Sequence, residues 1–290
     1  MDCELHHTAW VSWSTSIAVT AAIVATALVY LRGWRRLRES APEIAAGCKP
    51  WMSIVGLVVL WISIASPLST LDHRLLTFHM LQHLLSMTVA APLILAGAPG
   101  PAILRGLPPL VRDAAVTFLR SDGARRIGRW LTNPIACWLV GTGVVIAWHV
   151  PAAHELSMRS HAWHFVQQVT FFAGGLLFWW PVLKRSSGRL PASSAPLYLF
   201  LATLPCDALS AFLSFCGRAI YSSHRSAPAT SGLTALQDQE LAGALMWFWV
   251  TIAYLIPAVA ILLRMLSPRA GEIRSAEGKG LVTSLNLGTR

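Results

Sequence analysis

The chain has 290 residues, of which 54% are hydrophobic and only 12% charged, and its formal net charge is +10. Soluble domains average about 25% charged residues, so this composition excludes an ordinary soluble protein and predicts a polytopic membrane protein. The positive charge lies in short loops between apolar stretches, where it signals membrane topology, and this excludes a nucleic-acid-binding protein.

The apolar stretches predict an all-α helical bundle with seven transmembrane helices, because each approaches the ~20 residues that cross a ~30 Å hydrocarbon core. The predicted spans are residues 9–31, 51–70, 74–97, 134–151, 162–183, 197–217 and 240–264. We expect an outer N-terminal tail over 1–8, a seven-helix membrane domain over 9–264 and a disordered cytoplasmic tail over 265–290.

Lysine and arginine determine the predicted orientation. Segments 32–50, 98–133, 184–196 and 264–290 hold 19 of the 23 Lys and Arg residues. Because cytoplasmic loops are enriched in these residues, we predict the N-terminus outside and the C-terminus in the cytoplasm. Within the second of these segments, residues 109–131 predict either an amphipathic helix on anionic lipid or an ordinary basic loop.

All ten histidines fall on the predicted outer side or in the outer half of a span. An imidazole in or beside hydrocarbon is costly and marks a functional site by default. It is also the commonest metal ligand. This one-sided distribution predicts that a metal is handled at the outer face.

The third predicted span contains the sequence HRLLTFHMLQHLLSM. His79 and His83 are four residues apart and therefore share one helical face, which Met80 and Met87 flank. Imidazole with thioether sulfur favours copper, particularly Cu(I), over magnesium or calcium. The alternative is a pair of core histidines that bond to the backbone or to each other.

Further candidate ligands lie at the same predicted level of neighbouring spans. His149 closes the fourth span, His164 lies at the start of the fifth and Met246 lies about 9 Å inside the seventh. His149 could instead anchor at the interface and Met246 could pack in the core. We interpret His154 and His161 as interfacial residues.

Polar residues elsewhere could support such a site. Asp207 lies near the middle of the sixth span, where it could bond a ligand histidine or remain neutral beside the backbone freed by Pro205. Asp238 lies at the predicted outer mouth, as a cap or an entrance group. A soft terminal cluster could capture or release copper, or simply be a flexible terminus: Cys3, His6 and His7.

Four sequence segments are similar to the seven-span CtaG family of cytochrome c oxidase assembly factors, the membrane family of caa-type oxidases. They are HMLQHLLSMTVAAPLILAGAP, WHVPA, HAWHFVQQVTFFAGGLLFWWPVL and DQELAGALMW, and the resemblance covers roughly residues 50–265. It implies copper handling at the outer face of the bacterial plasma membrane. Oxidase subunits and periplasmic copper donors are the implied partners.

The resemblance also implies specific site residues. The positions that match the family's motifs are His79, His83, His149, His164, Asp238 and Met246. One position departs from the pattern, because Gln168 stands where a second histidine is expected four residues after His164. Glutamine is a poor copper ligand, so this position either does not bind the metal or changes how the metal is held.

The sequence is compatible with three functions. The first is a non-enzymatic copper-binding assembly factor, since no nucleophile–base–orienter set is visible. The second is a copper transporter, which would need polar or sulfur groups through the inner half, where the sequence offers little beyond Cys137. The third is a membrane cytochrome with His79 and either His149 or His164 as axial haem ligands.

Overall fold

The computed structural model of the protein describes residues 2–46, 49–65, 71, 74–183, 190–225 and 232–266, and only the backbone for residues 2–16, 192 and 225. Within these ranges the regular structure is helical and contains no strand, which confirms the predicted all-α class. The helices, numbered in chain order, are α1 (Asp2–Ser40), α2 (Pro42–Ala46), α3 (Pro50–Ala65), α4 (Leu76–Leu84), a π-helical segment (Leu85–Ala90), α5 (Ala91–Ala96), α6 (Pro99–Gly106), α7 (Pro109–Arg120), α8 (Asp122–Leu131), α9 (Pro134–His149), α10 (Pro151–Arg159), α11 (His161–Leu183), a 3-10 turn (Ala192–Ser194), α12 (Ala195–Phe215), α13 (Ser222–Arg225) and α14 (Ala235–Leu266).

Five helical stretches of the described chain are long and apolar enough to cross a membrane. They are Ile17–Ser40, Leu76–Ala96, His161–Leu183, Ala195–Phe215 and Ala235–Leu266. The pair α8 and α9, bent by 68° at the break between them, would be a sixth, while the apolar α3 has only 16 residues. A helical membrane bundle is therefore supported, whereas the number seven and the orientation of the termini stay predictions.

The break between α8 and α9 has a local cause. Asn133 stands at the N-cap of α9, and its Oδ1 accepts hydrogen bonds from the backbone N–H groups of Ile135 (2.9 Å) and Ala136 (3.4 Å). Pro134, at the first helical position, has no N–H to satisfy and its fixed φ suits a helix start. A new helix therefore begins here in a new direction.

The basic segment 109–131 is helical on both sides of Ser121 and contributes no buried residue to the bundle. It exposes large apolar side chains beside its arginines, namely Leu110, Phe118, Ile127 and Trp130. This is the composition of an interfacial helix, and contact of the segment with lipid remains a prediction.

The core of the bundle is filled by aromatic rings in the half that is far from α10. Phe178 lies with its ring centroid 5.0 Å from that of Tyr198 and 5.1 Å from that of Tyr254, and Trp179 lies 5.7 Å from Tyr254. We call these four residues the aromatic layer. On α11, Phe178 follows His164 by 14 residues, which is about 21 Å along the helix axis. The opposite end of the bundle is the end where the predicted site residues lie.

Candidate metal site

Five histidines from four separate helices meet at this end of the bundle. The ring of His79 lies in the middle. Its centroid is 4.5 Å from that of His83, 5.0 Å from His154, 5.6 Å from His164 and 6.2 Å from His224. All five side chains are buried, and we call them the histidine cluster. The predicted convergence of imidazoles from different helices is present in the structure.

His79 and His83 form the centre of the cluster. The spacing of four residues places both rings on one face of α4, and their Nε2 atoms lie 2.9 Å apart in a hydrogen bond. One ring donates the proton and the other accepts it, so an ion that both rings bind would replace this proton. This bond is what the alternative prediction, a pair of core histidines bonded to each other, expects for these two residues. It does not explain why the other three rings are buried beside them.

Several ring nitrogens at this end of the bundle are buried and lack a hydrogen-bond partner. They are Nδ1 of His79, Nε2 of His149 and Nε2 of His154. Buried polar atoms in proteins are almost always hydrogen-bonded, and an exception calls for an explanation such as a bound ion. These three nitrogens are therefore candidate donors to an ion.

His154 corrects the sequence interpretation, which placed it at the membrane interface. The loop after α9 folds into the short helix α10, and this helix carries the His154 ring into the cluster, where only 1% of the residue is exposed. Burial, together with the nearby His224, lowers the pKa of His154 to about 3. The ring is therefore neutral at pH 7 and retains a lone pair for a metal. His161, in contrast, is exposed at the start of α11.

His224 is a second member of the cluster that the sequence motifs did not indicate. It lies in the four-residue helix α13, which Glu155 holds against α10 by accepting hydrogen bonds from the backbone N–H (3.0 Å) and the hydroxyl (3.4 Å) of Ser223. The preceding Tyr221 donates its hydroxyl proton to the carbonyl of His149 (3.0 Å). The only signal for His224 in the sequence was the one-sided distribution of histidine as a whole.

Gln168, which stands at the position where a histidine was expected, borders the cluster. Its Nε2 lies 3.5 Å from Nε2 of His164 and 3.4 Å from Oε1 of Gln82. An amide in this place can donate to the imidazole of His164 and orient it. The departure from the family pattern therefore places an amide, in place of an imidazole, next to His164.

Asp238 organises the helix that carries the central pair. Leu75 occupies the N-cap of α4 and has no side-chain acceptor, so the capping oxygens come from Asp238 on α14. This carboxylate accepts hydrogen bonds from Leu76 N (2.6 Å), Thr77 N (3.2 Å) and the Thr77 hydroxyl (2.7 Å). Asp238 was predicted at the outer mouth as a cap and possible entrance group; the structure buries it against the start of α4, and its role as an entrance group stays a prediction.

The neighbouring Gln239 organises the segment that leads to His224. Its Oε1 accepts a hydrogen bond from Ile220 N (2.7 Å), and its Nε2 donates to the carbonyls of Leu213 (3.2 Å) and Arg218 (3.1 Å). The acid and the amide at the start of α14 thus hold two different parts of the cluster in place.

The remaining predicted ligands border a small cavity next to the cluster, further along α4. The cavity has a volume of ≈ 30 Å³ and is lined by His83, His149, Met80, Met87 and Met246, with apolar and aromatic residues and Thr88 around them. His83 also belongs to the cluster, so the predicted ligands fall into two adjoining groups.

A family comparison agrees with this arrangement. The model of the cytochrome c oxidase caa3 assembly factor family matches residues 28–267, which is more than half of the chain. The chain belongs to this family. No curated protein and no solved structure matches it. This match confirms the family resemblance that the four sequence segments predicted.

One further predicted residue of this assembly factor stays apart from the cluster, and three others have side chains that the structure does not describe. Asp207 is half-buried on α12 with an Oδ1 that lacks a hydrogen-bond partner, and within the described residues no hydrogen bond or ring contact joins it to a cluster histidine. Its pairing with a ligand stays a prediction. The terminal residues Cys3, His6 and His7 lie where only the backbone is described, so their side chains fall outside the described part of the chain.

In the part of the assembly factor that the structure describes, no group of three or more His, Cys, Asp or Glu side chains is already arranged to hold an ion. The hydrogen bond between His79 and His83 explains this for the central pair, because the two nitrogens face each other. Small rotations of the rings would be needed to direct several lone pairs at one point. The arrangement places buried imidazoles beside a cavity that three thioether side chains line.

Proposed function

We propose that this oxidase assembly factor binds copper, as Cu(I), at the outer face of the bacterial plasma membrane and stages it for the maturing oxidase. The observation that carries the proposal is the histidine cluster, in which five buried imidazoles from four helices converge. Burying that many imidazoles without a ligand would be costly, since polar groups removed from water require compensating bonds.

The donor set supports copper over other metals. Imidazole alone binds zinc, copper, iron and nickel, but the thioethers of Met80, Met87 and Met246 in the adjoining cavity select soft ions. Carboxylates, which magnesium and calcium prefer, are not part of the described cluster. A periplasmic donor would deliver Cu(I) to this end, and an oxidase subunit would receive it there.

The aromatic layer favours staging over transport. A permease needs polar or sulfur groups along the whole route, whereas the described core beyond the cavity is closed by Phe178, Trp179 and Tyr254 in mutual ring contact. Tyr254 also forms part of the cavity wall. An ion in the cavity would therefore leave by the end through which it came.

The size of the cavity argues against haem. Cofactor pockets occupy roughly 300–1,000 Å³. The cavity beside His83 and His149 measures ≈ 30 Å³, which accommodates an ion and not a porphyrin. His149, one of the candidate axial ligands, is therefore better suited to a single ion than to haem ligation.

We expect cells that lack this protein to assemble an oxidase that is deficient in copper while its haem content is retained. The reason is that the donors at the site suit an ion and not a macrocycle. The measurement is the ratio of copper to haem in the purified oxidase, by elemental analysis and absorption spectroscopy.

The control is the same strain complemented with the wild-type gene, and a second arm grows the deletion strain with excess copper, which should restore the ratio by mass action. An oxidase from the deletion strain with its full complement of copper, or one that lacks haem instead, would contradict the proposed function.

A further inference from the structure

The cavity next to the histidine cluster has the composition of a separate ion site. Three of the chain's seven methionines border it together with the imidazoles of His83 and His149, and Thr88, Tyr254 and apolar residues line the rest of its wall. The three methionines and two histidines, which we call the thioether cavity, come from α4 and the π-helical segment, the end of α9 and the first turns of α14.

The cavity residues that come from α4 and the π-helical segment lie on one face of the helix. Met80, His83 and Met87 follow at intervals of three and four residues, which puts them on the same helical face. Helix α4 enters the bundle at Leu76, so this face leads from His79 at the cluster towards Met87 in the interior over about 12 Å. His83 lies between the two ends and borders both groups.

The π-helical segment fixes the position of Met87. Such segments interrupt the regular backbone hydrogen bonds, occur often at functional sites and need outside partners for the freed groups. Trp179 supplies one, because its Nε1 donates to the carbonyl of Met87 (3.1 Å). Gly175 permits the close approach of α11, since a Cβ there would lie 2.8 Å from the same carbonyl oxygen.

The ring of His149 has a free nitrogen lone pair beside the cavity. Its Nδ1 lies 2.7 Å from the carbonyl of Val145, which can only accept, so Nδ1 carries the proton and Nε2 of the neutral ring carries the lone pair. Nε2 is buried without a hydrogen-bond partner. A neutral imidazole held through Nδ1–H by a carbonyl is the usual state of a metal-binding histidine.

Methionine commonly serves only to fill the core, and the volume of the cavity distinguishes this role from ion binding. Protein interiors are close-packed, and voids larger than a water molecule are few. The ≈ 30 Å³ between these thioethers is more than the roughly 10–15 Å³ of probe volume that one small guest requires. Flexible methionine side chains could have filled this space, and they leave it open.

We propose that the thioether cavity is a second Cu(I) site, distinct from the histidine cluster and joined to it through His83. The identity of the ion as Cu(I) rests on the proposed function, whereas the cavity and its lining residues are observed independently of it. Cu(I) would first meet imidazoles at the cluster and then exchange, ligand by ligand, onto sulfur. Thioethers bind Cu(I) and bind Cu(II) or zinc poorly, so the inner site would hold copper in its reduced form.

The test combines Cu(I) titration with X-ray absorption of the purified full-length protein. The variant Met87→Leu/Met246→Leu removes two thioethers at nearly constant volume and should retain the fold. The matched control is Met158→Leu/Met265→Leu, because neither residue borders the cavity. We expect wild type and control to bind one Cu(I) equivalent more than the cavity variant and to show a copper–sulfur shell that the cavity variant loses.

The outcomes separate this inference from the proposed function. A wild-type protein that binds Cu(I) through nitrogen only, or a cavity variant with the wild-type stoichiometry and sulfur shell, would overturn the inner site while the histidine cluster stands. A wild-type protein that binds no Cu(I) would overturn both. Loss of the sulfur shell in the cavity variant, with nitrogen ligation retained, would establish the inner site.

Discussion

Replacing His79 and His83 together with alanine is expected to weaken Cu(I) binding by at least about 100-fold, since loss of even a residue that supports a metal ligand costs 10–100-fold. The pair is the centre of the cluster, and His83 also borders the thioether cavity, so both groups of donors lose a member. Competition with a Cu(I) chelator of known affinity, performed anaerobically on the purified protein, measures this change.

The double replacement should leave the bundle folded. His79 and His83 hydrogen-bond each other, and removing both partners of a bond leaves neither orphaned, which costs far less than removing one. His161→Ala is the matched control, because this histidine starts α11 but is exposed. A folded double variant with the copper affinity of wild type and of the control would refute the assignment of the ligands.

Replacing Asp238 with alanine is expected to lower the free energy of unfolding by about 3 kcal/mol and to weaken copper binding at the same time. The carboxylate caps α4, whose own N-cap residue Leu75 has no side-chain acceptor, so Leu76 N and Thr77 N would be left without their partner. A frayed first turn would displace His79 on the next one. Thermal unfolding in detergent and Cu(I) competition are the two measurements.

Two variants test whether this effect belongs to the cap. Asp238→Asn keeps one oxygen acceptor and should lose less stability than the alanine variant. Glu240→Ala removes another acid from the first turns of α14. Within the described residues the Glu240 carboxylate makes no hydrogen bond to α4, so this variant should change little. If Asp238→Ala unfolds and binds copper like wild type, Asp238 does not position the histidine helix.

The sequence predicted the helices well where the apolar runs were long. The span predicted at 162–183 is the helix His161–Leu183, and the one at 197–217 is Ala195–Phe215. Both depend on local hydropathy, which is readable without a structure. The π-helical segment after Leu84 was not predictable, because it depends on distant partners such as Trp179 and Gly175.

The same distinction applies to the site. The spacing of four residues predicts directly that His79 and His83 share one face of a helix, and the structure brings both into the cluster. His154 and His224 lie in short helices with little hydrophobic periodicity, so their burial follows from tertiary contacts such as the bond between Glu155 and Ser223. The sequence also gave no means to predict that Asp238 would cap a helix so far from it in the chain.

Anomalous diffraction at the copper edge, from crystals of the Cu(I)-loaded protein, locates the bound ion directly. We expect a copper peak at bonding distance, about 2.1 Å, from imidazole nitrogens of His79 and of at least one cluster histidine on another helix. Copper found only away from the histidine cluster and the thioether cavity, with His79 and His83 still hydrogen-bonded to each other, would contradict the proposed copper site.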